Sequence, residues 1–345
     1  MRAVRVGEPG RAAVGDAPEP SIQAPGDAIV RVSATAICGA DLLPLSGHAP
    51  GFDNETILGH EFAGTVVETG PGVTRLASGA RVVSSSTISD GTCAHCRAGR
   101  SSQCEGRSLF GYSGVYPRLD GGQAEYVRVP NADRCLLSLP DELEDERAVF
   151  LADILPTAFA AVERAGARPG DHVAVVGLGP VGLMAVMCAA RLAASVTAVD
   201  TVEARRSLAA GLAANVSAVA PAEAEEAVRA ASGGLGADLV VEAAGARPAL
   251  DLALRLARGR GTVSVVGAHF EPDYSLNAGL MFERELSLRF HIGDPVADRE
   301  RLMGLMLAGQ LQPERTISHR LPLEQAPEGY ALFGGHEASK VVLLP

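Results

Sequence analysis

Apolar and polar positions change their rhythm once along this chain. Up to about residue 130, short strand-like runs are cut by Gly and Pro: A-I-V-R-V-S-A from Ala28, F-A-G-T-V-V-E-T-G from Phe62, A-R-V-V-S-S from Ala80 and A-E-Y-V-R-V-P from Ala124. They predict a β-rich region with long loops. From Ala148, A-V-F-L-A-D-I-L-P-T-A-F-A-A-V-E-R-A reads as a helix and leads into alternating segments. Strands are predicted at His172–Val176, Ser195–Val199, Asp238–Glu242 and Thr262–Val266. Ala-rich helices such as Glu203–Ala214 and Pro248–Ala257 lie between them. That alternation implies a parallel sheet. The last ~50 residues return to mixed character and end in K-V-V-L-L, Lys340 to Leu344. The predicted fold class is α/β, a β-rich part joined to a doubly wound parallel sheet.

From Val173 to Ala190 every residue is apolar, Gly or Pro, a length that could span a bilayer. Gly177, Gly179, Gly182 and Pro180 interrupt it, the first part is β-branched and the second helix-like. It therefore reads as a buried strand, a turn and a buried helix. The N-terminal sequence has no apolar signal core, so the expectation is a cytoplasmic protein without a membrane partner.

Composition narrows the picture further. A chain of 345 residues suggests two domains. With 4% aromatics and no Trp, its cores must rest on Val, Leu, Ile and Ala. A net charge of −11 argues against a nucleic-acid partner.

The chemistry begins at V-A-V-V-G-L-G-P-V-G, which supplies G-x-G-x-x-G at Gly177, Gly179 and Gly182 between a strand and a helix. Gly177 permits the turn, Gly179 lets backbone approach a pyrophosphate, and Gly182 allows helix against strand. Pro180 and Val181 open the helix, whose N-terminus favours phosphate. Asp200 ends the next strand in A-V-D, where its carboxylate would accept a ribose hydroxyl and repel a 2′-phosphate. NAD(H) is expected over NADP(H). Arg205 and Arg206 follow and could instead meet a phosphate.

Three of the six cysteines, Cys93, Cys96 and Cys104, are crowded into one short stretch. Without a secretion signal this favours metal over disulfide. Cys38, in A-I-C-G-A-D, and His60, in G-H-E, raise the question of a second metal site.

Together these pieces resemble the zinc-dependent medium-chain alcohol dehydrogenases, over essentially the whole chain. The most specific match is G-H-E-F-A-G-T-V-V-E-T-G, Gly59 to Gly70. The resemblance implies a GroES-like catalytic domain at 1–155 and 290–345, with an NAD-binding Rossmann domain at 156–289. It also implies a catalytic zinc on Cys38, His60 and Asp153, with Glu61 as an alternative ligand and Asp41 orienting the histidine. Thr157 matches a threonine near the nicotinamide. In D-G-T-C-A-H-C-R-A-G-R-S-S-Q-C the resemblance implies a structural zinc on Cys93, Cys96 and Cys104, with Asp90 in place of the family's first cysteine. A carboxylate is an acceptable zinc ligand. His95 is a rival donor.

The implied activity is hydride transfer between NAD(H) and a small alcohol or carbonyl substrate, of the secondary alcohol or polyol class, by a homodimer or homotetramer. The chain departs from the family at the proton relay. The two relay positions are Ala40 and Leu43, and neither carries a transferable proton. Three readings follow: His48 or water replaces the relay; the enzyme reduces an iminium or conjugated carbonyl without one; or the protein is a non-catalytic NAD-binding module.

Overall fold

The computed structural model describes residues 1–7, 10–269 and 273–345. Contacts divide the chain into two units. The first holds Met1–Asp153, Asp294–Gly309 and Ile317–Pro345; the second holds Ile154–Gly293 and Gln310–Thr316.

In the first unit, β1 (Arg2–Gly7) and β2 (Arg11–Asp16) form an antiparallel pair. The remaining early strands are β3 (Ala28–Ala36), β4 (Phe62–Thr69), β5 (Arg81–Ser84), β6 (Tyr126–Val129) and β7 (Leu136–Ser138). Alternation in β3 sends Arg31 and Ser33 outward while Val30, Val32 and Ala34 are buried. Phe62 and Phe110 meet edge to face at 5.1 Å in the core beneath this sheet, so Phe110 is a packing residue.

The second unit carries β8 (His172–Val176), β9 (Ser195–Val199), β10 (Val216–Val219), β11 (Ala237–Glu242), β12 (Ala257–Val265) and β13 (Ser287–Phe290). They form one parallel sheet in the order β10-β9-β8-β11-β12-β13. Strand order reverses between β8 and β11, the place where such sheets bind nucleotides. The run from Val173 to Ala190 is a fully buried strand followed by a helix over Pro180–Leu192. The helix after β9 spans Glu203–Ala210, four residues shorter than its pattern predicts, because Gly211 caps it. The chain then returns to the first unit with β14 (His319–Pro322) and β15 (Val341–Leu344). β15 lies between β14 and β3, so the first sheet runs β14-β15-β3-β4-β5-β7, with β6 also paired to β3.

The segment predicted as one helix from Ala148 is broken. A 3₁₀ turn over Val149–Ala152 ends at Asp153, whose φ of −151° leaves helical space, and an α-helix restarts at Ile154–Phe159. A π-helical turn follows at Ala160–Arg164. The break at Asp153 turns its carboxylate into the first unit.

Candidate metal centre and nucleotide turn

Four donors converge in the first unit. One ligand atom each from Cys38, His60, Glu61 and Asp153 lies within 4.8 Å of all the others. Cys38 follows β3, His60 and Glu61 precede β4, and Asp153 sits in the helix break. Backbone ties fix the first pair of segments: the Ala36 N–H and the Thr35 hydroxyl both donate to the Glu61 carbonyl, at 3.0 and 2.8 Å. Gly59 supplies the turn with φ of 93°, a conformation costly for other residues. A Cβ there would also lie 2.4 Å from the Gln123 side chain.

Asp41 holds the histidine. Its Oδ1 is 3.1 Å from His60 Nδ1, and its Oδ2 accepts from the Cys38 N–H at 3.0 Å and from Gln123 Nε2 at 3.3 Å. Tyr330 donates in turn to Gln123 Oε1 at 2.8 Å. This leaves His60 Nε2 facing the cluster, 3.5 Å from Asp153 Oδ2. Ser86 donates to the other Asp153 oxygen at 3.1 Å. Burial raises Asp153, but the hydrogen bond and charge of His60 outweigh it and hold the carboxyl below its ordinary value. Burial pushes the Cys38 thiol up, with the Glu61 charge adding to it.

The donor set suits zinc, which takes thiolate, imidazole and carboxylate together. Glu61 supplies a further observation. Its Oε2 pairs with Lys340 Nζ, while its Oε1 is buried with no hydrogen-bond partner. A bare carboxylate oxygen beside this cluster favours a nearby cation electrostatically without having to be its ligand.

A second cluster joins Asp90, Cys93, Cys96 and Cys104, again within 4.8 Å. The Cys93 and Thr92 N–H groups donate to Asp90 Oδ1 at 2.9 and 2.6 Å and hold the carboxyl well below its ordinary range. The Cys96 N–H points at Cys93 Sγ and the Asp90 N–H at Cys104 Sγ. His95 is not among these donors. None of the six cysteines is in a disulfide.

In the second unit, Gly177 has φ of 92°, and a Cβ there would meet Ala244 N at 2.7 Å. A Cβ on Gly182 would lie 1.8 Å from the Gly177 carbonyl oxygen. A Cβ on Gly179 would meet nothing within 4 Å, so space above this turn is open. Pro180 is the first helical residue, where its missing N–H costs nothing, and Val181 follows it. Asp200 is 8% exposed and closes this turn from below: its Oδ2 accepts from the Leu178 N–H at 2.7 Å and its Oδ1 from Val202 N–H at 2.8 Å. Arg205 Nη1 stands 3.9 Å from Asp200 Oδ2. Arg206 instead binds the carbonyls of Asp200 and Thr201. Thr157 packs on Gly293, where a Cβ would come within 2.4 Å of its hydroxyl.

Several contributors carry no sequence signal. Gln123, Tyr330 and Ser86 lie in unremarkable stretches, and Lys340 only opens a strand-like run. Ala40 and Leu43 are half-buried beside Cys38, and His48 is exposed with Nδ1 2.9 Å from Ser46 Oγ.

Comparison with known proteins agrees with the geometry. Residues 24–141 match the alcohol dehydrogenase GroES-like domain and residues 180–307 the zinc-binding dehydrogenase domain. Zinc-type alcohol dehydrogenase B of Aspergillus flavus is 37% identical, covering 99% of this chain and 81% of the relative. The alcohol dehydrogenase TADH from Thermus sp. ATN1 superposes with a TM-score of 0.94 at 40% identity, covering 100% of this chain and 99% of the other. A protein from Sinorhizobium meliloti 1021, solved bound to NADP, superposes with a TM-score of 0.86 at 31% identity, covering 100% of this chain and 99% of the other. A GroES-like β unit, a parallel Rossmann sheet and this extent of identity place the chain in the zinc-dependent medium-chain alcohol dehydrogenase family of oxidoreductases.

Proposed function

We propose that the protein transfers hydride between NAD(H) and a small secondary alcohol or polyol, or the matching carbonyl, with zinc held by Cys38, His60 and Asp153. The observation that carries this reading is the buried donor cluster with its histidine fixed by Asp41. Three donors of mixed type leave room for substrate, as a catalytic zinc site requires. When bound, zinc and nicotinamide supply polarisation of the substrate oxygen and hydride exchange. This chain's residues do the rest. Asp41 keeps His60 in the tautomer with Nε2 toward the cluster, Ser86 orients Asp153, and Thr157 borders the nicotinamide site.

Asp200 supports NAD(H) as the cofactor. Its carboxylate would accept from a ribose hydroxyl and oppose a 2′-phosphate. Arg205 beside it supports the rival cofactor, and the S. meliloti relative was solved with NADP. A ratio of dissociation constants favouring NADH decides for Asp200; tighter NADPH binding decides against it.

Asp90, Cys93, Cys96 and Cys104 would hold a second, closed zinc, since the backbone donors on Asp90 keep that carboxylate ionised. Two zinc ions per chain support this; one overturns it. Self-association is supported by exposed apolar side chains around the edge strand β13, Phe282, Phe290 and Ile292 at 88, 66 and 54%. Unpaired thiols fit a reducing compartment such as the cytoplasm. Among the described residues no helix is long and apolar enough to cross a membrane.

Ala40 and Leu43 favour a second reading of the substrate. Without a relay beside Cys38, an iminium, which hydride converts to a neutral amine, or a conjugated carbonyl, which takes hydride at carbon and leaves an enolate, suits the site because neither leaves an alkoxide to be protonated. A screen of alcohols and carbonyls with NAD(H), on wild type and Ala40→Ser, separates the two. A gain in alcohol oxidation for Ala40→Ser marks a missing relay; no gain favours relay-free chemistry or a water route.

A further inference from the structure

Lys340 is a fully buried cation at the back of the metal centre. Its ammonium pairs with Glu61 Oε2, donates to the Ile37 carbonyl at 3.2 Å, and lies 5.9 Å from the Phe150 ring centroid. No surface role explains it. A buried ion pair is also weak evidence of stabilisation, because desolvating two charges offsets most of their attraction. The pair's place is informative. Glu61 belongs to the donor cluster, and its Oε1 is buried without a hydrogen-bond partner.

We propose that Lys340 is a positioning residue that draws Glu61 back from the metal and so keeps the fourth coordination position open. The proposal rests on the zinc reading of Cys38, His60 and Asp153. Were Glu61 to join those three, the site would be four-coordinate and closed, the arrangement of a structural zinc and not of a catalytic one. The cluster is rich in anions, with Asp41, Asp153, Glu61 and the Cys38 sulfur, and Lys340 is the ammonium that competes with the metal for Glu61. Its other anchors, the Ile37 carbonyl and the Phe150 ring, hold the ammonium where it can bind only one Glu61 oxygen.

The test uses the full chain loaded with Co²⁺, whose visible spectrum reports ligand number. The part of the spectrum missing in Cys38→Ser belongs to this centre. Lys340→Met, Lys340→Gln and Lys340→Arg are compared with wild type by spectrum and by the rate at which a chelator strips the metal. Gln keeps a hydrogen bond to Glu61 without the charge, so it carries the test if Met does not fold. The expected result is a spectral change toward added carboxylate ligation and release about tenfold slower in Met and Gln, with Arg close to wild type. Adding Glu61→Gln should abolish the slowing, because the two residues act as one unit. A merely structural lysine would give the opposite sign, faster release from a loosened pocket. Unchanged or faster release, or slowing that survives Glu61→Gln, overturns the proposal. Wild type with no Cys38-dependent Co²⁺ spectrum would overturn the metal reading itself, a distinguishable failure.

Discussion

Asp41 Oδ1 stands 3.1 Å from His60 Nδ1, and both side chains are buried. The other Asp41 oxygen is anchored by the Cys38 N–H and by Gln123. One carboxylate therefore ties together the two segments that bring sulfur and nitrogen to the same point. Asp41→Asn, which keeps the shape and loses the charge, should weaken zinc binding by about 10–100-fold. Competition against a chelator of known affinity measures this; equal affinity would mean that His60 needs no such support.

The nucleotide turn offers a contrast between two glycines. Gly182→Ala would drive a Cβ to 1.8 Å from the Gly177 carbonyl oxygen. The helix must shift, and a destabilisation of roughly 1–3 kcal/mol is expected from overpacking. Gly179→Ala meets nothing within 4 Å in the free protein. Thermal unfolding should thus be nearly unchanged for Gly179→Ala and clearly lowered for Gly182→Ala. Calorimetric titration with NADH should show weakened binding in both. Full affinity in Gly179→Ala would remove the case for a pyrophosphate over that residue.

His172 makes stability depend on pH. Burial lowers its pKa, partly opposed by Asp238, while Ser195 and Thr197 hydroxyls lie 2.8 and 3.2 Å from its ring nitrogens. The unfolded chain then binds a proton more readily than the folded one. The stabilising contribution is present above the ordinary histidine pKa of about 6.5 and is lost as pH falls through the lower folded value. Denaturant unfolding between pH 7 and 5 should have a shallower pH slope in His172→Gln, by at most about one proton. An equal slope would place the proton uptake elsewhere.

Phe290 is 66% exposed on β13, at the edge of the parallel sheet. If that edge joins a second copy, Phe290→Lys should reduce the mass measured by light scattering to that of a single chain while NADH binding persists. The same mass as wild type would move the contact to another face.

Buried interiors were readable in the sequence and edges were not. β8 and β9 match their predicted bounds residue for residue because both are short, rich in β-branched residues and almost wholly buried. β10 and β13, the two edges of the sheet, went unpredicted. Their residues are mostly half-buried or exposed; V-S-A-V in β10 shows no period, and the alternation S-L-R-F in β13 lasts only four residues, too short to mark a strand by itself. The break at Asp153 was hidden because its flanks are helix-forming on both sides. Cys38, His60 and Asp153 stood out as donors through the G-H-E signature and its register. Lys340 and Tyr330 did not, since their partners Glu61 and Gln123 are 279 and 207 residues away along the chain. No local spacing records such a contact.

The insertion of β15 between β14 and β3 has a consequence for biosynthesis. All eight residues of the two donor clusters emerge from the ribosome before the second unit does, yet Lys340 and Tyr330 follow it. A nascent chain can gather Cys38, His60, Glu61 and Asp153 while the end of β3 at Thr35 and Ala36, which β15 later joins, is still unpaired. During that interval Glu61 has no ammonium beside it, so this buried ion pair is completed only by the last strand to be made.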